Sequence, residues 1–278
     1  MDRHFCLYGA RPSQGWQKAP MLVHFQGPWA RESAVAGEAE IRVRLKRSFE
    51  KFRYRDASAY VVLCGEFKGI LVNDYGVDPD KVSIVPPGVD LKRFRVGPVL
   101  PDHPNVLCVR RLERRMGIHV LLDAWAQVVS AVPEARLSIV GTGNEELRLK
   151  EQSSRLGLAD SVEFKGRLSD SKLAELYQDS MLTVVPTISL EGFGLIALES
   201  LATGTPPIVT DCGGLPDAVL GLDPSLVVEP DNRDELAQRI ISAIAGKRPS
   251  AEACRRHAEK FSWSEVARQH EVLYRGIQ

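Results

Sequence analysis

Cysteine is scarce and widely scattered in this sequence. Five of 278 residues are cysteines, Cys6, Cys64, Cys108, Cys212 and Cys254, and no two stand closer than 42 positions. There is no CxxC pair and no disulfide ladder, which argues against an extracellular scaffold and against a structural zinc site. Long apolar runs are missing as well. None approaches the roughly 18 residues of a membrane-spanning helix, and Met1-Asp2-Arg3-His4 opens without the apolar core of a secretory signal. Net charge is absent, because 36 basic and 36 acidic side chains cancel. No global field gathers nucleic acid or an anionic membrane, although a local basic patch stays open. The 22 glycines and 17 prolines are spread along the chain, which excludes collagen-like and low-complexity architectures. These absences predict a cytoplasmic globular protein. At roughly 150 residues per domain the length suggests two domains or one large one. A composition of 44% hydrophobic and 26% charged residues suits a chain with a full core.

From Asn105 onward one unit repeats: a short apolar run, a turn, then a stretch of helical period. Strands are predicted at 105–109, 136–140, 161–164, 182–185, 207–210 and 226–228, rich in Val, Ile and Leu without clean alternation, as buried parallel strands are. Helices are predicted near 117–132, 145–156, 169–178, 195–203 and 233–245, with Ser169 or Asp170 capping one and Asp231 or Asn232 another. Strict alternation of strand and helix means a parallel sheet covered on both faces, whose ligands bind at the carboxyl ends of the strands. The first hundred residues offer strands at 22–25, 60–63 and 82–86 and a helical region around 34–54, too few for an independent doubly wound domain. The segment 95–105, with three prolines, reads as a linker, and the closing segment from Ser250 is helical with no strand after it. The expected division is therefore a partial first domain over 1–95, a second over 96–255 and a final helix over 256–278.

Three strand-end stretches carry chemistry. The stretch 186–199, with Leu190-Glu191-Gly192-Phe193-Gly194-Leu195 at its centre, follows a buried strand and opens a helix. Its two glycines let the backbone approach a ligand, and the helix start offers unpaired N–H groups and the positive dipole end to an anion. Glu191 precedes that helix. Glu199 is the lone charge in an otherwise apolar helix and needs hydrogen-bond donors. Ribose or sugar hydroxyls would supply them; a turn with Glu199 paired to a neighbouring arginine is the plainer alternative. The second stretch, Arg110-Arg111-Leu112-Glu113-Arg114-Arg115, could neutralise a diphosphate or be a solvated basic loop, and position favours Arg111 over Arg110 and Arg114. The third, Gly141-Thr142-Gly143, half-matches a dinucleotide fingerprint but lacks the third glycine. It reads as a tight turn near a ligand, and nicotinamide binding is rejected. Asp78-Pro79-Asp80 has the form of a metal–diphosphate clamp but reads as a surface turn. The basic run Arg42, Arg44, Lys46, Arg47, Lys51, Arg53, Arg55 could touch anionic lipid; the interspersed Glu38, Glu40, Glu50 and Asp56 favour a solvated helix face.

Taken together, Glu191-Gly192-Phe193-Gly194 with Glu199 eight positions on, Gly204 and Cys212-Gly213-Gly214-Leu215-Pro216-Asp217 resemble the signature of the retaining glycosyltransferases of family 4. Pro87-Gly88-Val89-Asp90, Arg111-Leu112 and Phe164-Lys165-Gly166-Arg167-Leu168 follow in the family's order, and the likeness covers nearly the whole chain. The resemblance implies the GT-B fold, two Rossmann-like domains facing across a cleft, with the opening strands and acceptor-side loop of the first missing. It implies transfer of a sugar from a nucleotide-diphosphate donor to a carbohydrate or lipid-linked acceptor, with retention and with neither metal nor other cofactor. In it Glu191 and Arg111 serve the reaction, Gly192, Phe193, Gly194 and Leu195 hold the diphosphate, Glu199 takes the ribose, Gly141 lines the donor site, and Arg167 and Leu168 lie against the base. The departing phosphate itself helps deprotonate the acceptor. Two departures stand out. Met116 replaces the usual lysine, a charge that Arg115 is expected to supply, and His24 is displaced from the family's cleft histidine. The competing expectation is a nucleotide-sugar-binding module or inactive fragment. Contact with the inner face of a membrane and the oligomeric state stay open.

Overall fold

The computed structural model describes residues 2–4, 20–35, 37–97 and 103–277; Cys6 and part of the 95–105 stretch lie outside them. The chain divides into two compact units. One holds the described residues up to Pro87 together with the segment from Ser264, and the other runs Gly88–Trp263.

The first unit contains β1 (Asp2–Arg3), β2 (Leu22–Phe25), α1 (Trp29–Val35), α2 (Glu40–Tyr54), β3 (Ala59–Val62), α3 (Gly65–Tyr75) and β4 (Val82–Ile84). All strands are parallel, in the order β1-β2-β3-β4. The sheet has one strand more than the sequence analysis anticipated, because β1 is only two residues long and carries no apolar run. The helical region expected around 34–54 is two helices. They break at Gly37, whose φ of 78° suits a residue without a Cβ. Leu22, Val23 and Phe25 of β2 are buried, and Phe25 meets the rings of Tyr54, Phe67 and Tyr75 at centroid distances of 6.0, 5.8 and 5.7 Å. Glu50 of α2 is completely buried and accepts from the Trp29 and Ala30 amides at 3.1 and 3.2 Å and from the Tyr75 hydroxyl at 2.7 Å. One carboxylate thereby satisfies the start of α1 and fixes it to α2 and α3. Asp78-Pro79-Asp80 is a turn, in which Asp78 accepts from the Asp80 amide at 3.0 Å.

The second unit contains β5 (Asn105–Val109), α4 (Ile118–Ala131), β6 (Arg136–Val140), α5 (Glu146–Arg155), β7 (Val162–Gly166), α6 (Asp170–Gln178), β8 (Leu182–Val185), α7 (Leu195–Ala202), β9 (Pro207–Thr210), α8 (Leu215–Val219), β10 (Val227–Val228), α9 (Arg233–Ile244) and α10 (Ala251–Ala258). Ser169 caps α6 and Asn232 caps α9, each accepting from a first-turn amide. The six strands are parallel in the order β10-β9-β8-β5-β6-β7. Counted from β5 this is the 3-2-1-4-5-6 arrangement of dinucleotide-binding sheets, and the order reverses between β5 and β8. The carboxyl ends of those two strands are where sheets of this order bind their ligands. Finally α11 (Trp263–Gly276) belongs almost wholly to the first unit, where Val266 joins a core with Leu22, Ala59, Val61 and Val85. The four described cysteines are buried thiols, and burial pushes those of Cys108 and Cys254 up to about 12.

Candidate functional site at the carboxyl ends of the second sheet

The loops at the switch point touch backbone to backbone, and glycines make this contact. A Cβ on Gly117, after β5, would stand 1.7 Å from the Pro186 carbonyl oxygen of the loop after β8. On Gly213, after β9, it would stand 1.8 Å from the Glu191 carbonyl oxygen. Both have positive φ, so any side chain there meets strain as well as collision. Gly141, after β6, is packed likewise against the Arg110 carbonyl. The four loops form one surface around the start of α7.

At that start Gly194 occupies the N-cap with φ 79°, and no side chain caps the helix. Among the described residues the amides of Gly192, Phe193, Gly194, Leu195 and Ile196 have no acceptor; the first helical amide that is bonded is Ala197, to Gly194 O at 2.8 Å. Phe193 is buried and anchors the loop, 5.8 Å from the Phe261 ring. Leu190, with φ 54°, turns the chain into the loop, and its carbonyl accepts from Arg115 Nη1 at 2.8 Å. An anion placed before α7 would meet several unpaired N–H groups and the positive helix end.

Two carboxylates flank this start. Glu191 Oε2 pairs with Arg110 Nη2 at 2.5 Å, and the same nitrogen donates to the Thr187 hydroxyl at 2.5 Å. The Arg110 and Glu191 side chains are 6% and 14% exposed, so the pair is shielded from water. Glu191 Oε1 has no hydrogen-bond partner among the described residues. Glu199 Oε2 accepts from the Tyr177 hydroxyl at 3.0 Å, and its Oε1 likewise has no partner among the described residues. Burial holds the Glu199 carboxyl above the usual carboxylate range, against the pull of the Tyr177 hydroxyl, and pushes the Tyr177 phenol far up. Each acid thus has one oxygen fixed by the protein and the other oxygen open, an arrangement suited to binding hydroxyl groups.

The residues singled out by sequence fall around this surface in distinct ways. Glu191, Gly192, Phe193, Gly194, Leu195 and Glu199 lie together on one loop and helix. Arg111 points to solvent, where it pairs with Glu113 at 3.0 Å with its side chain 61% exposed. Its neighbour Arg110, ranked lower by sequence position, is the arginine that pairs with Glu191. Arg115 braces the Leu190 carbonyl and approaches Glu113 at 3.5 Å. Arg167 and Leu168 follow Gly166, at the carboxyl end of β7, exposed and half-buried respectively. His24 sits within β2, between the stacked rings of His4 at 4.2 Å and His270 at 5.4 Å. Sequence reasoning missed Thr187 and Tyr177. The lone acid in an apolar helix signals that a donor exists, without showing which residue supplies it.

Residues 92–261 match the family Glycosyl transferases group 1, more than half of the chain. The chain belongs to this family. Residues 2–93 match Glycosyltransferase Family 4. A D-inositol 3-phosphate glycosyltransferase of Segniliparus rotundus is 34% identical over 215 residues, 72% of this chain and 48% of that protein. Mannosylfructose-phosphate synthase of Agrobacterium fabrum is 28% identical over 286 residues, 94% of this chain and 61% of that protein. Among solved structures, sucrose-phosphate synthase from Thermosynechococcus elongatus superposes with a TM-score of 0.77 at 28% identity, covering 95% of this chain and 70% of that one. Anabaena HepE in complex with UDP superposes with a TM-score of 0.79 at 20% identity, over 92% of this chain and 72% of that one, a likeness of fold. The group 1 glycosyltransferase fold, α/β with parallel sheets of GT-B type, is therefore that of this chain. The chain spans about half the length of the inositol-phosphate glycosyltransferase it matches.

Proposed function

We propose that the chain carries the donor half of a retaining glycosyltransferase, which transfers a hexose from a nucleotide diphosphate to a carbohydrate or lipid-linked acceptor. The uncapped start of α7, set between two half-satisfied carboxylates at the switch point of the sheet, carries this reading. The amides from Gly192 to Leu195 would hold the diphosphate, Glu199 Oε1 would accept from the ribose hydroxyls, and Glu191 Oε1 from the sugar hydroxyls. Gly141 would line the donor site, and Arg167 and Leu168 would lie against the base. In the reaction the bond from the sugar's anomeric carbon to the phosphate oxygen breaks as the acceptor oxygen bonds to the same carbon from the same face. The acceptor proton passes to the departing phosphate oxygen. The protein's part is positioning and stabilisation of the leaving anion, through the α7 amides and the exposed Arg111. Arg115 holds the Leu190 turn that presents those amides, and it would also supply the charge that Met116 lacks. No metal enters this scheme. The relatives support sugar transfer to a carbohydrate-type acceptor.

Calorimetric titration with UDP-, GDP- and ADP-hexoses tests the donor site and identifies the base. One of them binds the wild type, and Glu199→Ala weakens it about thirtyfold, the worth of one charge-assisted hydrogen bond. Glu191→Ala leaves nucleotide binding in place and abolishes transfer. A product of inverted anomeric configuration overturns retention, and binding untouched by Glu199→Ala overturns the site. The second reading is a nucleotide-sugar-binding module, for which the α7 start and its two carboxylates suffice without turnover. Binding without turnover by this chain supports that reading; turnover excludes it.

A further inference from the structure

We propose that the outward face of α2 docks on an anionic lipid bilayer. This inference rests on the first unit alone and is independent of the donor site. Ile41, Leu45, Phe49 and Phe52 are 66%, 64%, 40% and 43% exposed. At 3.6 residues per turn they fall within an arc of about 80°. The residues that α2 buries, Val43, Glu50 and Tyr54, lie on the opposite side. A helix of this kind has turned a continuous stripe of large apolar side chains to solvent, which single exposed leucines do not explain.

Cations border the stripe on both edges. Arg42 and Arg53 follow one edge; Arg44, Lys51 and Arg55 follow the other. The acids that argued for an ordinary solvated face are accounted for elsewhere. Glu50 is buried beneath the helix, and Glu38 is drawn into a pair with Lys46 at 2.6 Å. Glu40 and Asp56 pair with Arg44 and Arg55 at the exposed surface, contacts too weak to hold against a phosphate surface. Arg42 and Lys51 make no ion pair among the described residues. At its carboxyl end the stripe runs into a depression of about 530 Å³, whose wall carries Lys51, Arg55 and Lys81 against the single acid Asp78. An apolar stripe between two cationic edges is complementary to a bilayer: Phe and Leu enter the boundary of the acyl region while Arg and Lys meet lipid phosphates. A second copy of this chain is the poorer occupant, because a two-fold contact would bring the same cationic edges together.

Cosedimentation of the chain with vesicles tests this, using phosphatidylcholine alone and phosphatidylcholine mixed with phosphatidylglycerol, at low and high salt. The expected result is pelleting with phosphatidylglycerol vesicles only, decreasing as salt rises. Arg42→Ala and Lys51→Ala each lower the partition about fivefold. Leu45→Glu combined with Phe49→Glu abolishes it, with an unchanged circular dichroism spectrum. Equal binding to both vesicle types, absence of binding, or unaltered binding by the two alanine variants overturns the proposal. A concentration-dependent dimer in sedimentation velocity that Leu45→Glu dissolves, without vesicle binding, replaces it by self-association.

Discussion

Each unit withdraws a helical carboxylate from water, completely at Glu50 and partly at Glu199, and the two are satisfied differently. Glu50 in α2 and Glu199 in α7 are both held above the usual carboxylate range, in each case chiefly by burial. Glu50 has three protein donors, two amides and the Tyr75 hydroxyl. Glu199 has one, Tyr177, and its other oxygen has no partner among the described residues. A buried acid with all its donors inside the chain holds elements together. One with a donor on one oxygen only keeps its other oxygen open to a donor from outside the chain. The cost of desolvation is similar in kind for both, so the direction of a pKa does not separate structure from function; the count of donors does.

The contrast can be broken by mutation, and the largest effect belongs to Glu50. Glu50→Ala leaves two amides and a hydroxyl without their acceptor and costs about 4 kcal/mol of unfolding free energy. Denaturant unfolding measures this, and a loss below about 1 kcal/mol would mean that water replaces the carboxylate. Arg110→Ala follows at about 3 kcal/mol, since it strands Glu191 in a shielded site. A double-mutant cycle with Glu191→Gln recovers most of that loss if the pair is coupled. Glu199→Gln has little effect on folding, removes the charge that hydroxyl donors prefer, and so sharpens the contrast with Glu50.

The pH dependence follows from the direction of the Glu199 shift. Its folded pKa is raised, so folding is favoured most at acid pH. That advantage is lost as pH rises from the ordinary carboxylate value through the raised one. Hydroxyl donors favour the ionised form, so nucleotide affinity rises with pH through the same window and then levels off. Calorimetry across that window shows the rise in the wild type and a flat profile in Glu199→Gln; a rise that survives the substitution assigns it to another group. The smallest effect on stability is expected from Arg111→Ala, within about 0.5 kcal/mol, because its pair with Glu113 is exposed. If Arg111 meets the leaving phosphate, the same variant lowers kcat while the unfolding midpoint stays put.

How much of this was legible depends on what each residue's neighbours had to decide. The strands β5, β6, β8 and β9 coincide with their predicted ranges residue for residue; in β5, β8 and β9 burial on both faces leaves a nearly unbroken apolar signal. The glycines and acids of the α7 start were legible for a similar reason: few residue types permit that turn. Sequence position favoured Arg111 over Arg110 and left the partner of Glu191 undetermined. The two arginines are adjacent at a strand end, where successive side chains leave on opposite sides, and the packing of the loop after β8 decides which one meets Glu191. In α2 the apolar spacing of Ile41, Leu45, Phe49 and Phe52 would by helical period mark the inner face. The structure turns it outward, because Glu50 is held inside by the start of α1 and by Tyr75. The opening strand β1 left no trace in the sequence, being two polar residues paired to a neighbour far along the chain.

Local chemistry in the residues was enough to place the longer parallel strands, the glycine turns and the two acids around the α7 start, since each is a property of a short segment. Tertiary packing alone chose which arginine reaches Glu191, which donor meets Glu199 and which side of α2 faces water. Those are contests between groups 21 to 81 positions apart, and a chain settles them only when its distant segments compete for the same buried space.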